Sequence, residues 1–423
     1  MKKYISLSVS ERTAIYNELK NEYESYLESG LSLDLSRGKP NGVQLDTSLG
    51  LMSVDLSGDY LSEDGFDCRN YGVLDGLPEM KRFFADAYGI RAEDIIVGGN
   101  SSLQLMHNVL TTAMLHGVAT TKTPWCREDG LKWICITPGY DRHFRITEQL
   151  GFELLDAPMK NGQPDMDLIE KLALDPKVKG VWCIPKYSNP SGITYNEDTV
   201  RRRVSMKCAA PDFLVMWDNA YGIHDFTEDA DSLPDIFKLA EEYGTLDRVF
   251  YFSSTSKVTF PGGGVAFMAA NPAQRSHFLR YLGAQTIGFD KLNQLRHLRF
   301  FGNAENLHKH MLALGARVKR KFDIALAELS CIEGLGIASW TVPKGGYFIT
   351  LNVLPGTAKR VYELMCGAGV TLTPVGATHP YGVDPTDSTI RLAPTYPTDD
   401  ELELAMKILA IAVRLAALEK LNA

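Results

Sequence analysis

No stretch of this chain stays apolar for long enough to cross a bilayer. Its opening, MKKYISLSVSERTAIYNELKNEYESYLESG, also lacks the apolar core of a secretion signal. A surplus of positive charge is missing too: 44 Lys and Arg against 52 Asp and Glu leave a formal net charge of -8, so neither nucleic acid nor an anionic membrane is expected as a partner. The seven cysteines (Cys68, Cys126, Cys135, Cys183, Cys208, Cys331 and Cys366) are odd in number and contain no Cys-x-x-Cys pair. That pattern argues against a disulfide framework and a zinc site; it fits reduced thiols in the cytoplasm, and no metal is expected. Internal repeats and low-complexity tracts are absent as well. With 45% hydrophobic and 23% charged residues, the 423 positions suit a soluble globular chain with one large domain and a smaller one.

Ser10 is placed to cap a helix on which Ile15, Leu19, Tyr23 and Leu27 recur every fourth residue, with Gly30 closing it. LDLSRGKPNG has no helical period and reads as an extended crossing, and Pro78 suits the first turn of the helix after it. From Ile95 short apolar runs alternate with helical ones, the pattern of strand-helix units and a mainly parallel sheet. The expected strands are 95–98, 133–137, 152–157, 180–184, 214–217, 249–252 and 265–269. After Arg280 the chain is helical, a strand-rich part follows from Ser339, and a last helix opens on a Thr398…Glu401 capping box.

Five stretches carry chemistry. In YFSSTSKVTFPGGGVAFM, Lys257 follows an apolar run among small hydroxyl residues, so it is either a solvated loop lysine or an amine desolvated for Schiff-base chemistry. In VGGNSSLQLMHNVL, Ser101 and Ser102 open a helix after a strand; they form a structural N-cap or an anion cradle. Tyr140 in ITPGYDRHF is a core tyrosine or a ring laid flat on a planar ligand. Asn189 in IPKYSNPSGITY sits in a turn that directs its amide towards the sheet's carboxyl edge. Asp218 ends the apolar strand of LVMWDNAYGIHDF and is either a surface-turn residue, which the apolar approach through Val215, Met216 and Trp217 disfavours, or a carboxylate that wants a cationic partner. Asn189, Asp218 and Lys257 all follow expected strand ends, where ligands gather in open sheets.

Taken in order, GGNSS, PGY, NPSG, WDNAY, STSK and IRLAP resemble the fold-type I family of pyridoxal-phosphate (PLP) aminotransferases, and within it the aspartate aminotransferase branch related to MocR-type catalytic domains. The likeness runs from SRGKP to IRLAP. It implies an α/β fold: a large domain (51–310) with a mainly parallel seven-stranded sheet between helices, and a smaller α+β domain (311–423) joined by the N-terminal segment 1–50. It implies that Lys257 holds pyridoxal 5'-phosphate as a Schiff base, Asp218 pairs with the ring nitrogen, Asn189 and Tyr221 bond the ring hydroxyl, and Tyr140 stacks on the ring. By the same likeness Asn100, Ser101, Ser102 and Ser254 hold the phosphate, and Tyr71 reaches the phosphate of a neighbouring subunit in a homodimer with shared active sites. Arg391 clamps the substrate's α-carboxylate, with Gly38, Lys39 and Asn189 beside it.

The expected reaction passes an amino group from an L-amino acid, aspartate or glutamate, to 2-oxoglutarate or oxaloacetate in a ping-pong cycle. Arg37, Lys39 and Arg142 are candidates for a second substrate carboxylate. One departure stands out: where the family usually has an arginine eight residues after the lysine, this chain has Val265. Amides of Gly262 to Gly264, or Lys291 or Arg296, are the candidates to replace that cation. Another PLP reaction, such as an aromatic or kynurenine-type transamination, a β-lyase or a decarboxylase, uses the same lysine and aspartate. A non-catalytic MocR-like effector domain keeps the same cofactor, whereas a nucleotide-binding protein is disfavoured because neither GGNSS nor PGGG matches a Walker loop.

Overall fold

In the computed structural model, which describes residues 2–423, all seven expected strands form, with no end shifted by more than three residues. They lie in one sheet in the order Ile95–Val97, Ala266–Ala269, Val249–Ser254, Leu214–Asp218, Val178–Cys183, Lys132–Thr137, Glu153–Lys160, followed by an eighth, Gln163–Pro164. The central pairings are parallel, while Ala266–Ala269 runs antiparallel to both of its neighbours. The eighth strand corrects the expected count of seven. It folds back on Met159 and Lys160 through Asn161 and Gly162, both with positive φ, the backbone that a two-residue hairpin turn requires.

Every residue of Val178–Cys183, Leu214–Asp218 and Val249–Ser254 is buried, which is why these strands read as mainly apolar runs, the buried Lys179 being paired with Glu128 and Asp212. Successive side chains serve opposite faces. Ile134, Val181, Val215 and Tyr251 pack into one layer with helices Pro78–Tyr88 and Glu197–Ser205. Trp133, Trp182, Met216 and Phe250 pack into the other with Ser102–His116 and Asp141–Gln149. A third core joins Tyr4, Leu19, Leu33 and Leu35 to the helix Asp399–Asn422 and a three-stranded antiparallel sheet, Ala338–Trp340, Ile349–Val353 and Thr389–Leu392. The helix Ala304–Leu329 spans both regions: Leu307, Met311 and Leu314 belong to the first layer, Val318 and Phe322 to the third core.

Two helix starts contrast. Thr398 and Glu401 form the expected capping box. At the N-terminus the cap is Ser8 rather than Ser10, because Glu11 reaches back to the Ser8 amide at 2.7 Å while Ser8 Oγ accepts from the Glu11 amide. Glu28, not Gly30, closes that helix. Among the described residues no helix is long and apolar enough to cross a membrane, and no three His, Cys, Asp or Glu are grouped to hold a metal ion.

His297 is fully buried, with Nδ1 2.9 Å from the Asn293 carbonyl and Nε2 3.0 Å from Thr259 Oγ1, so a neutral ring protonated on Nδ1 satisfies both. Burial pushes its pKa down to about 4. The unfolded chain takes up this proton near the ordinary value of about 6.5, so stability present above that pH is lost as pH falls towards 4. Urea midpoints should therefore decline from pH 6.5 to 4.5, and His297→Gln should flatten the decline by on the order of 2 kcal/mol. A variant whose decline matches the wild type's would show that this ring does not set it.

Candidate active site

Because the central strands are parallel, the loops after them open at one edge of the sheet. There Asp218 ends one strand, Lys257 follows the next, and Tyr140 and Asn189 follow two more. These four residues line one cavity of about 760 Å³, together with Tyr221 and Arg391. Its cations are Arg37, Lys39, Arg142, Lys257 and Arg391.

Asp218 is 3% exposed. Its Oδ2 accepts from His143 Nε2 at 2.9 Å, whereas its Oδ1 is buried without a partner. A carboxylate only accepts, so the histidine proton lies on Nε2. The His143 ring is stacked on Trp182, with centroids 4.4 Å apart. Lys257 Nζ lies 5.0 Å from the Tyr221 ring centroid and 5.8 Å from that of Tyr347. Burial lowers the pKa of this amine, and the negative charge of Asp218 partly opposes the shift. Burial also pushes the hydroxyl of Tyr140 up to about 12 and that of Tyr221 well upward, so both rings stay neutral at neutral pH.

Arg391 comes from the far sheet, where it pairs in register with Thr350. Its Nε donates to Thr373 Oγ1 at 3.2 Å, and its Nη1 faces Asp141 Oδ1 at 3.3 Å and Asn189 Oδ1 at 3.4 Å. The Phe348 ring lies under the guanidinium, 5.1 Å from centroid to Cζ, and Gly38 lies against the same ring. Lys39 lines the cavity with its ammonium 3.9 Å above the Tyr396 ring.

At the opposite end, Ser101 caps the helix Ser102–His116 by accepting from the Gln104 amide, and Ser102 stands beside it. Ser254 Oγ donates to Ser256 Oγ at 2.9 Å, and Ser256 in turn bonds the Asn100 carbonyl. Of the two readings of GGNSS the N-cap is formed, by Ser101, and Ser101 and Ser102 also line the cavity. The Asn100 amide is turned towards the Pro261 carbonyl and does not line the cavity. Nor do the candidates to replace the missing arginine. Lys291 gives its ammonium to the carbonyls of Gly72 and Phe289, the Gly263 and Gly264 carbonyls are held by Asn293, and Arg296 stands elsewhere. Tyr71, 78% exposed, lies outside the cavity of this single chain.

The family model for aspartate amino-transferase matches residues 7–423. The chain belongs to the aspartate amino-transferase family. It is 43% identical over 412 residues to an aspartate aminotransferase of Corynebacterium glutamicum, covering 97% of this chain and 95% of that one. The crystal structure of an aspartate transaminase from the same species superposes with a TM-score of 0.96 at 41% identity, covering 99% of both chains. The α-aminoadipate aminotransferase LysN of Thermus thermophilus, solved with N-(5'-phosphopyridoxyl)-L-leucine, shares the fold at 21% identity, with a TM-score of 0.75 over 98% of this chain and 100% of that one. The expected fold class and enzyme class are thus borne out: the protein is an aminotransferase on an α/β frame.

Among the residues of this aminotransferase's cavity region that escaped the sequence reading are His143, Tyr347, Phe348 and Asp141. His143 stands one helical turn after Tyr140, a spacing that returns its ring beneath the strand ends, and that signal was present in PGYDRH. Tyr347 and Phe348 carry no local signal, because only the packing of the far sheet brings them under Lys257 and Arg391. A Cβ added to Gly38 would fall inside the Phe348 ring, which is itself buried. Gly38→Ala should therefore tilt the ring and with it Arg391, raising KM for the amino donor about tenfold with a modest loss of stability. Unchanged kinetics would show that the ring yields without moving the guanidinium.

Proposed function

We propose that this aminotransferase holds pyridoxal 5'-phosphate on Lys257 and moves amino groups between a dicarboxylic L-amino acid, aspartate or glutamate, and 2-oxoglutarate or oxaloacetate in a ping-pong cycle. The observation that carries the reading is the buried, unpartnered Asp218 Oδ1 in the same cavity as Lys257 and Arg391. A buried carboxylate oxygen without a donor is costly, and a ring N–H supplies the donor it lacks. The aspartate aminotransferase of C. glutamicum and the phosphopyridoxyl adduct of LysN support the same assignment.

Bound pyridoxal phosphate supplies an electron sink for the substrate's α-carbon. The chain's own groups do the rest. Asp218, whose Oδ2 takes the His143 N–H, would hold a proton on the ring nitrogen through its free Oδ1. Lys257, its ammonium destabilised by burial, gives up a proton readily at Nζ and can then accept one from the substrate. Tyr221 and Asn189 would orient the ring through its hydroxyl, Tyr140 would stack on it, and Ser101, Ser102 and Ser254 would bind the phosphate together with the amides that open Ser102–His116. Arg391 binds the α-carboxylate. Arg37, Lys39 and Arg142 are the cations at hand for a second one.

The same reading makes the enzyme a homodimer in which Tyr71, exposed here, completes the partner's site. It places 51–310 in a large domain and 1–50 with 311–423 in a small one, in keeping with the separate cores. Seven free cysteines suit a cytoplasmic enzyme.

Purified wild type should show a visible absorption that borohydride bleaches, and Lys257→Ala should fold yet lose turnover by at least about 10⁴-fold. Transamination retained by that variant would overturn the assignment. Asp218→Asn should keep the bound cofactor and lose about 100-fold or more of kcat, since its amide cannot hold the ring proton; near-normal rates would make the aspartate structural.

A further inference from the structure

Asp141 is the first residue of the helix that follows Tyr140, and its carboxylate lies between two arginines of the cavity. Oδ1 is 3.3 Å from Arg391 Nη1, and Oδ2 is 4.0 Å from Arg142 Nε. Arg391 is 10% exposed, and its other acceptors, Thr373 Oγ1 and Asn189 Oδ1, are neutral, so Asp141 supplies its only carboxylate among the described residues. Arg142, 65% exposed, has Asp141 as its only ion-pair partner among them.

We propose that Asp141 is an internal stand-in for the substrate's carboxylates. In the free enzyme it hydrogen-bonds Arg391 and lies within ion-pair distance of Arg142, and a dicarboxylic substrate takes both from it. The inference rests on the reading of Arg391 as the carboxylate clamp and deepens it by naming Arg142 as the partner of the second carboxylate.

The physical case has three parts. A guanidinium only 10% exposed gains from an anion beside it, and Asp141 supplies one while no ligand is bound. Two carboxylates on one guanidinium repel, so the ligand must displace Asp141. Displacement is cheap, because the Asp141 side chain is 37% exposed and stands in the first turn of a helix, where a carboxylate turned to water stays favoured. The competition also discriminates. A monocarboxylate removes Asp141 from Arg391 alone, whereas a dicarboxylate must also break the contact with Arg142, so Asp141 weakens dicarboxylates the more.

The test is calorimetric binding of maleate, an unreactive dicarboxylate, and of propionate to the holoenzyme, with KM for aspartate and for alanine alongside. Asp141→Asn should tighten maleate and lower KM for aspartate roughly three- to tenfold, with a smaller effect on propionate and alanine. Asp141→Ser, which keeps a short polar residue at the helix start, should do the same and covers the case in which the first variant folds poorly. Arg142→Ala should weaken maleate but not propionate and should cancel the extra gain in the double variant. Maleate binding that is unchanged or weaker in both Asp141 variants overturns the proposal while Arg391→Ala still abolishes binding. If Arg391→Ala leaves binding intact, the clamp reading itself fails.

Discussion

A lysine amine kept away from water is the constraint on which the rest depends. Lys257 lies in the cavity against two tyrosine rings, and burial disfavours its charged form. Such a group is tolerable only if a carboxylate is near enough to keep the ammonium from being lost altogether and far enough not to fix it as an ion pair. Asp218 fills that role. It opposes the shift only in part, and its Oδ2 is itself taken by His143. The His143 ring is in turn stacked on Trp182 of a fully buried strand, so the hydrogen bond to Asp218 is backed by the sheet itself.

The parallel sheet makes this arrangement possible. Strands running the same way deliver Tyr140, Asn189, Asp218 and Lys257 to one edge without any long-range design in the loops themselves. The second half of the cavity is less local. Arg391 arrives on an antiparallel strand of another sheet, Phe348 on its neighbour's approach, and Gly38 from a segment more than 300 residues earlier. Their contact leaves no room for a Cβ at residue 38, so the glycine answers to packing rather than to backbone conformation.

This division explains what was legible. The central strands could be read because burial on both faces forces mainly apolar runs, and the Thr398 helix start because its cap is written in four consecutive residues. The extra strand was missed although Asn161-Gly162 is a strong hairpin signal, since Gln163–Pro164 has only two residues and no apolar pattern. Ser8 lost to Ser10 in the reading because the box partner, Glu11, was not matched with it. Tyr347 and Asp141 were illegible for a different reason: their significance comes from the distant residues they meet, Lys257 and Arg391, and no spacing along the chain encodes that.

Position 265 shows why the missing arginine is not simply replaced in place. The Val265 amide donates to Thr255 Oγ1 and its carbonyl accepts from the Thr255 amide, so the residue locks the lysine loop to the following strand. Its side chain is 2% exposed, and a guanidinium there would need its own acceptor within the core. On the proposed reading, the phosphate end is left to neutral donors: the hydroxyls of Ser101, Ser102 and Ser254 and the free amides of a fifteen-residue helix, whose dipole favours an anion without a formal charge. Apart from Lys257, the cavity's cations are Arg37, Lys39, Arg142 and Arg391. Formal positive charge is thus concentrated on the groups assigned to substrate carboxylates, so charge there selects what is exchanged at each half-reaction while uncharged donors hold what stays.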